Sequence, residues 1–436
     1  MSQDPIPNSE PVRILIVGTM DTKADEVSVL AGEIKRAGGT PVVLDSGVGR
    51  TPITGTVDIN INQSDVALAG GVDLADVWAA PRGEAIGLMR SGVTAIVKRL
   101  GEEGRIDGAL CMGGAGTHAA GPAFQALPLS IPKLIVTPLA SGSRSFEPYV
   151  GTSNGAVMHS VVDIAGLNPI SETISRQAAG YIVGAAKAMQ NSGGPTVNRA
   201  DGLVAVSMNG NTTPAVNLIR RSLEGSGFNV VAYHANGVGG RSMEAMIDAG
   251  EFVAVIDMTT TELAGAEFGG LMDPGPHRME AAGRKGIPQV LVPGCLDFIT
   301  VGRLEEAKGE FPDHVLFAHN PELTLVRMKT NQMVRLGEIF ASKANSATGP
   351  TTVCVPTRGL SVPGAPGGPF SDPEADQALQ DALTNNLRNT VKLRLVDAHI
   401  NDASFAEAVL EELNDVMSKA GVLARNTNQP RSEVIQ

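Results

Sequence analysis

Aromatic side chains are scarce in this 436-residue chain, where Phe, Trp and Tyr together make up 3% and Trp occurs once. Few stacking platforms are therefore available for bases. The formal net charge of −12 opposes a phosphate backbone as well, so both features argue against sequence-independent nucleic-acid binding. Cysteine is also sparse: Cys111, Cys295 and Cys354 are widely separated and odd in number, which suggests no disulfide framework. Cys111 and Cys295 fall at or just past expected strand ends, where a small apolar residue packs well. No run approaches the ~18 uninterrupted apolar residues of a membrane-spanning helix. The opening MSQDPIPNSEPVR has no apolar core of a secretion signal, and residues 1–11 read as a disordered leader. A soluble, cytoplasmic protein is expected.

What the chain has in quantity is glycine, 51 residues, well above the usual share of about 7% and without a collagen-like period. It also says one thing twice. Residues 12–49, VRILIVGTMDTKADEVSVLAGEIKRAGGTPVVLDSGVG, are echoed by 202–240, GLVAVSMNGNTTPAVNLIRRSLEGSGFNVVAYHANGVGG. Each copy runs β-branched strand, polar turn, amphipathic helix, second apolar strand and glycine loop. Ile131-Pro132-Lys133-Leu134-Ile135-Val136 is answered by Ile287-Pro288-Gln289-Val290-Leu291-Val292. The pattern predicts an α/β protein of two Rossmann-like lobes, each a parallel sheet flanked by helices and related by internal repeat. The domains would be 12–193 and 194–424, joined by the breaker-rich Asn191-Ser192-Gly193-Gly194-Pro195, with 425–436 as a polar tail. A capping box is expected at Thr22/Asp25 and another at Ser404/Glu407.

Parallel sheets bind ligands at the carboxyl ends of their strands, so the loops there hold the candidates. Met112-Gly113-Gly114-Ala115-Gly116-Thr117-His118 follows a strand and precedes a helix. Backbone N–H groups of such a loop can face an anion, helped by the helix N-terminus. Thr117 could add a hydroxyl donor. The run is neither a P-loop nor G-x-G-x-x-G, and a tight turn without a ligand is the plain alternative. Beside it, Gly18-Thr19-Met20-Asp21-Thr22-Lys23 ends the first strand. Lys23 could reach a phosphate and Asp21 a magnesium-bound water, or the segment is only a helix start with a solvated lysine. Asp45, ending the second strand, stands where nucleotide folds place a ribose-binding acid. Ser141-Gly142-Ser143-Arg144 is a further strand-end loop with hydroxyl and guanidinium donors.

Reactive side chains are denser in the second lobe, with five of the seven histidines between 234 and 399. His234, Asp257, Glu262, Asp297, Asp397 and His399 all fall at expected strand ends or loops. His319-Asn320 is read as preceding a helix. The expectation is one pocket in which His399 is a general base, or a hard-metal ligand with Asp397 or Asp402 beside it. Glu262 would orient it or take the complementary acid role, His234 would lie in the same pocket as a further catalytic candidate, and Arg241, Thr259 and Thr260 would hold an anionic substrate. A histidine that merely satisfies its neighbours is the competing reading. No H-E-x-x-H or C-x-x-C spacing exists, so any metal remains unknown.

GTMDTKADE, MGGAGTH, PLASGS, YVGTSN, HSVVDIAGLN, HANGVGGRSME, DMTTTELAG, GRKGIPQVLVPGCLDF, HNPELTLVR and DAHINDASFA together resemble the Tm-one-like ATP-binding family. That family comprises a plant tobamovirus-resistance protein and bacterial relatives, and the likeness runs from about 12 to 418. The resemblance implies ATP with Mg2+ in the N-terminal lobe and a tendency to form a homodimer. By matching motif, the nucleotide contacts would fall on Thr19, Asp21, Lys23, Gly113, Gly114, Gly116 and Thr117. Two functions follow as expectations. One is an enzyme of small-molecule metabolism acting on an anionic or sugar-acid-like substrate. The other is a nucleotide-binding regulatory or interaction protein without turnover.

Overall fold

In a computed structural model, residues 10–50, 56–114, 116–140, 146–191 and 202–422 are described. The expected 141–144 loop, the interdomain linker beyond Asn191 and both termini lie outside them. Contacts divide the chain into two units, 1–197 and 198–436.

The first unit runs β1 (Val12–Gly18), α1 (Met20–Arg36), β2 (Gly39–Asp45), α2 (Gln63–Ala69), α3 (Leu74–Ala79) and α4 (Arg82–Glu102). It continues with β3 (Gly108–Met112), α5 (Thr117–Gln125), β4 (Lys133–Thr137), α6 (Glu147–Val150), β5 (Ala156–His159) and α7 (Pro169–Asn191). Its strands form one parallel sheet in the order β2-β1-β3-β4-β5. Strand β1 is apolar from Ile14 to Val17 because both faces of that stretch are covered. Leu15 and Val17 point into a core closed by Met89, Val93 and Phe124. Ile14 and Ile16 point into another closed by Leu30, Ile34 and Ile182.

The second unit begins β6 (Leu203–Met208), α8 (Thr213–Gly225), β7 (Asn229–His234), α9 (Val238–Asp248), β8 (Ala254–Asp257), α10 (Thr261–Phe268), α11 (Ala281–Lys285) and β9 (Gln289–Leu291). Three short strands follow, β10 (Phe298–Val301), then α12 (Leu304–Glu310), β11 (Leu316–Asn320) and β12 (Leu323–Arg327). The unit ends with α13 (Thr330–Asn345), β13 (Thr351–Pro356), α14 (Pro373–Asn386), β14 (Lys392–Val396) and α15 (Ala403–Lys419). Its parallel sheet has the order β14-β13-β9-β8-β6-β7. Counted from the start of each unit, both sheets therefore begin second-first-third-fourth, as the repeat requires.

Three expectations are corrected. The antiparallel sheet β10-β12-β11 is inserted between the fourth and fifth parallel strands, and His319-Asn320 lies in its β11–β12 hairpin rather than before a helix. The N-cap of α1 is Thr19 without a side-chain cap, so Thr22/Asp25 form no capping box. That of α15 is Asp402, whose carboxylate accepts from the His399 amide. Among the described residues no helix is long and apolar enough to cross a membrane, and the three cysteines are free and buried.

Candidate functional site

In the first unit the chain runs from β1 to β2 on one side and then crosses to β3 on the other side of β1, so β1 and β3 flank the point where strand order reverses. Val17 pairs in register with Cys111, which sets the turn after Gly18 beside the turn after Met112. A cleft of about 190 Å³ opens there, as expected where neighbouring loops diverge. Thr19, Asp21, Lys23, Gly113, Gly114 and Gly116 line it, as expected from the motifs. Its remaining wall was not legible: Arg82, Ile86 and Met89, at helical spacing on α4, together with Ser46, Val48 and Asp163. No spacing signal ties Arg82, Met89 or Asp163 to the glycine loop.

Glycine serves this loop through space. Gly113 and Gly114 are not among the positive-φ glycines, and a Cβ built at Gly114 would meet nothing within 4 Å. Any side chain there would instead occupy the cleft. The Gly113 amide donates to Val136 O at 3.0 Å, which removes it as a donor to a ligand. The amides of Gly114 and Gly116 take no hydrogen bond to a described residue. Thr117 is fully buried and its hydroxyl donates to Gly114 O at 2.6 Å. It closes the loop and does not line the cleft, which corrects its expected role.

Asp45 is likewise turned to the backbone. Asp45 is 1% exposed, and its Oδ1 accepts from Met20 N at 3.0 Å and Gly47 N at 2.9 Å. Burial raises its pKa, against the pull of those two amides. It fastens the α1 start to the following loop and is absent from the cleft wall. Asp21 differs: Oδ2 accepts from Gly49 N at 2.7 Å, while Oδ1 is buried without a hydrogen-bond partner. A Cβ on Gly47 or Gly49 would stand 2.7 and 2.5 Å from this carboxylate, so those glycines make room for it. Lys23 departs from helical dihedrals (φ −134°, ψ 22°) and its ammonium donates to Ile164 O.

The second unit's expected pocket does not assemble. His399 follows β14 and His234 ends β7, the opposite edges of the six-stranded sheet, roughly 24 Å apart for the usual strand spacing. The His399 ring is engaged on both sides, Nε2 donating to Ser361 O at 2.9 Å and Nδ1 accepting from Asn401 N at 3.2 Å. Asp397 pairs with Arg358 at 2.9 Å on the surface. His234 is exposed, and Arg241 lies in the first turn of α9.

Glu262 is wholly buried and holds the start of α9. It accepts from Gly237 N at 2.6 Å, Gly240 N at 3.1 Å and Arg278 Nε at 2.6 Å. A carboxylate on helix N-terminal amides complements the helix dipole. Arg278 also pairs with Asp257 through both terminal nitrogens and with Glu244 at 3.3 Å. Burial alone would lower its pKa, yet Asp257 and Glu262 hold it well above the usual value. Thr259 exchanges a hydroxyl hydrogen bond with Thr212 at 2.8 Å, and Thr260 donates to Val292 O at 3.1 Å. Both threonines are fully buried. Glu262, Thr259 and Thr260 thus satisfy the protein itself, and the reading of a convergent catalytic pocket is withdrawn. Among the described residues no group of three or more His, Cys, Asp or Glu could hold a metal.

Comparison with known proteins agrees with this two-unit division. Residues 12–191 match the N-terminal domain and 202–417 the C-terminal domain of Uncharacterised protein family UPF0261. The chain belongs to that family. A UPF0261 protein of Clostridium tetani is 37% identical over 413 residues, covering 93% of this chain and 99% of its own. The ToMV susceptible protein tm-1 of Solanum lycopersicum is 32% identical over 444 residues. The match covers 96% of this chain and 58% of the tomato protein. Among solved structures, a UDP-N-acetylglucosamine 2-epimerase covers 96% of this chain and 99% of its own at 11% identity, with a TM-score of 0.21. A likeness at that level carries no argument about function.

Proposed function

We propose that the first unit binds a nucleoside polyphosphate with a divalent cation, ATP with Mg2+ being the pair that the family resemblance implies. The observation that carries the reading is the cleft at the β1/β3 switch point, with open space over Gly114 and a buried, unpartnered Asp21 oxygen on its wall. A buried carboxylate oxygen without a donor is costly unless a cation approaches it. The cleft also offers cationic groups, Lys23 and Arg82, beside the amides of Gly114 and Gly116. An anionic ligand that carries its own cation satisfies both sets at once, and a simple monoanion satisfies only the second. The residues fit the group: Asp21 would hold the cation, directly or through its water, and the Gly114–Gly116 backbone and Lys23 the phosphates. The apolar floor of Val48, Ile86 and Met89 accepts a non-ionic part by burial.

The proposed activity is binding, in a nucleotide-dependent regulatory or interaction protein. The enzymatic alternative rested on the reactive cluster of the second unit, where His399, Asp397, Glu262, Thr259 and Thr260 are engaged by other groups of the protein. Asp297 accepts from the Ser361 hydroxyl and keeps its other oxygen unpartnered, and His234 stands exposed at the opposite sheet edge. Calorimetric titration with ATP, with and without Mg2+, tests the reading. Saturable binding that Mg2+ strengthens is expected, and Asp21→Asn should abolish the strengthening while leaving the melting temperature of the free protein unchanged. Absence of nucleotide binding under both conditions overturns it.

A further inference from the structure

The loop between β5 and α7, residues 160–168, forms part of the cleft through Asp163. It has little apolar anchorage. Ile164 is 2% exposed, whereas Val161 and Leu167 are 64% and 46% exposed. Val161 also sits at φ 64°, a strained conformation for a β-branched residue. Two charged side chains of α1 hold this loop to the body of the unit. The Lys23 ammonium donates to Ile164 O, and Glu26, itself only 6% exposed, accepts from Gly166 N at 2.8 Å. They stand three residues apart in α1, with Lys23 at the point where the chain departs from helical dihedrals. The first lies at the cleft and the second away from it, since Lys23 lines the cleft and Glu26 does not.

We infer that this pair is a strap with one permanent and one ligand-sensitive fastening, an inference that rests on the reading of the cleft as an anion site. Glu26 faces no incoming ligand and stays fixed. Lys23 is different, because its partner is a neutral carbonyl. A phosphate at the Gly114–Gly116 amides offers the same ammonium a charge-assisted hydrogen bond, about twice as strong as a neutral one. The ammonium turns to the phosphate and Ile164 O is released. Asp163, a carboxylate beside the incoming anion, favours the same outward movement. The loop then loosens at its 161–164 end while Gly166 stays pinned. Anion binding in the cleft is thereby reported at the outer surface, where Val161 and Leu167 are displayed.

Hydrogen exchange read by mass spectrometry over peptides spanning 159–168 of the full chain tests this. Without ligand, Lys23→Met should speed exchange in these peptides about tenfold, the effect of losing one hydrogen bond to a charged group, while Lys23→Arg restores protection. The melting temperature should fall by only about a few degrees. In the unmodified protein, inorganic tripolyphosphate and ATP with Mg2+ should each speed exchange in the same peptides. Lys23→Met should show no further change with either anion. Unchanged exchange in ligand-free Lys23→Met overturns the fastening. Unchanged or slower exchange with both anions overturns the release. Calorimetry on the same samples decides the nucleotide reading separately: binding without release removes the strap alone, and tripolyphosphate-driven release without ATP binding removes the nucleotide alone.

Discussion

After β3 the chain runs Gly113-Gly114, and after β8, which holds the same place in the second sheet, it runs Met258-Thr259-Thr260. Both turns follow the third strand of a sheet that begins in the same order. In the first, a Cβ at Gly114 would meet only open space. In the second, the threonine hydroxyls reach Thr212 and Val292 O and close the edge with the protein's own polar groups. The helix starts contrast in the same way. The amides opening α9 already hold the Glu262 carboxylate, while those of Gly114 and Gly116 before α5 hold no described partner. A switch point is a place for a ligand only where side chains leave it unfilled. Duplicated topology conveys the location and not the vacancy.

Removing Glu262 should sharpen this contrast most. Glu262→Ala leaves Arg278 without one of its buried counter-charges and the α9 amides without an acceptor. Loss of a buried partner of this kind costs about 3–5 kcal/mol. Chemical denaturation should show the second unit weakened by that amount, and a change under about 1 kcal/mol would mean that Glu262 is not the anchor. Glu262→Gln, which keeps an acceptor for the amides, should lose less.

In the first unit the corresponding disturbance should act on ligand and not on stability. Gly114→Val places a side chain in the cleft without meeting protein, so ATP affinity should fall at least tenfold, about 1.4 kcal/mol. The melting temperature of the free protein should hold. Equal affinity in the folded variant would make the loop only a turn.

Thr260→Val should cost on the order of 1 kcal/mol of stability by leaving Val292 O without its hydroxyl donor. Nucleotide affinity should be untouched, and a shift in affinity would reopen the second unit as a site. The smallest effect belongs to the surface. Asp397→Asn breaks a solvent-exposed pair with Arg358 and should change stability by only about a few tenths of a kcal/mol. A loss of any measured activity in that variant, with fold intact, would restore the catalytic reading of the β14 edge.

Much of the fold was legible because the signals are local. The run VRILIVG, the stripe of Val27, Leu30 and Ile34, and the repeated Ile-Pro segment each specify an element through periodicity of burial. The strand Gly108–Met112 and the glycine loop after it were placed correctly for that reason. The inserted β10-β12-β11 sheet was not, since its strands are only four or five residues long, β10 and β12 are buried without a polar alternation, and no repeat partner announces them. The candidate cleft was half legible. Thr19, Asp21, Lys23 and the glycines lie in two contiguous motifs, whereas Arg82, Ile86 and Met89 come from a helix whose apolar spacing reads as core. Thr117 and Asp45 show the opposite error: both are the right residue types at the right strand ends, but their polar atoms are taken by neighbouring backbone.

Composition and periodicity by themselves determined that this chain makes two parallel α/β sheets of common order, with glycine-rich turns at the edge where ligands bind. Those properties follow from which residues must be buried along each element. Only the tertiary structure decided that Asp21 keeps an oxygen without a partner while Glu262 and Asp257 share a buried Arg278, and that His399 and His234 stand at opposite sheet edges. Hydrogen bonding is satisfied pairwise and at a distance, so the same residue type at equivalent strand ends becomes a ligand group or a structural pin according to what the fold brings within 3 Å of it.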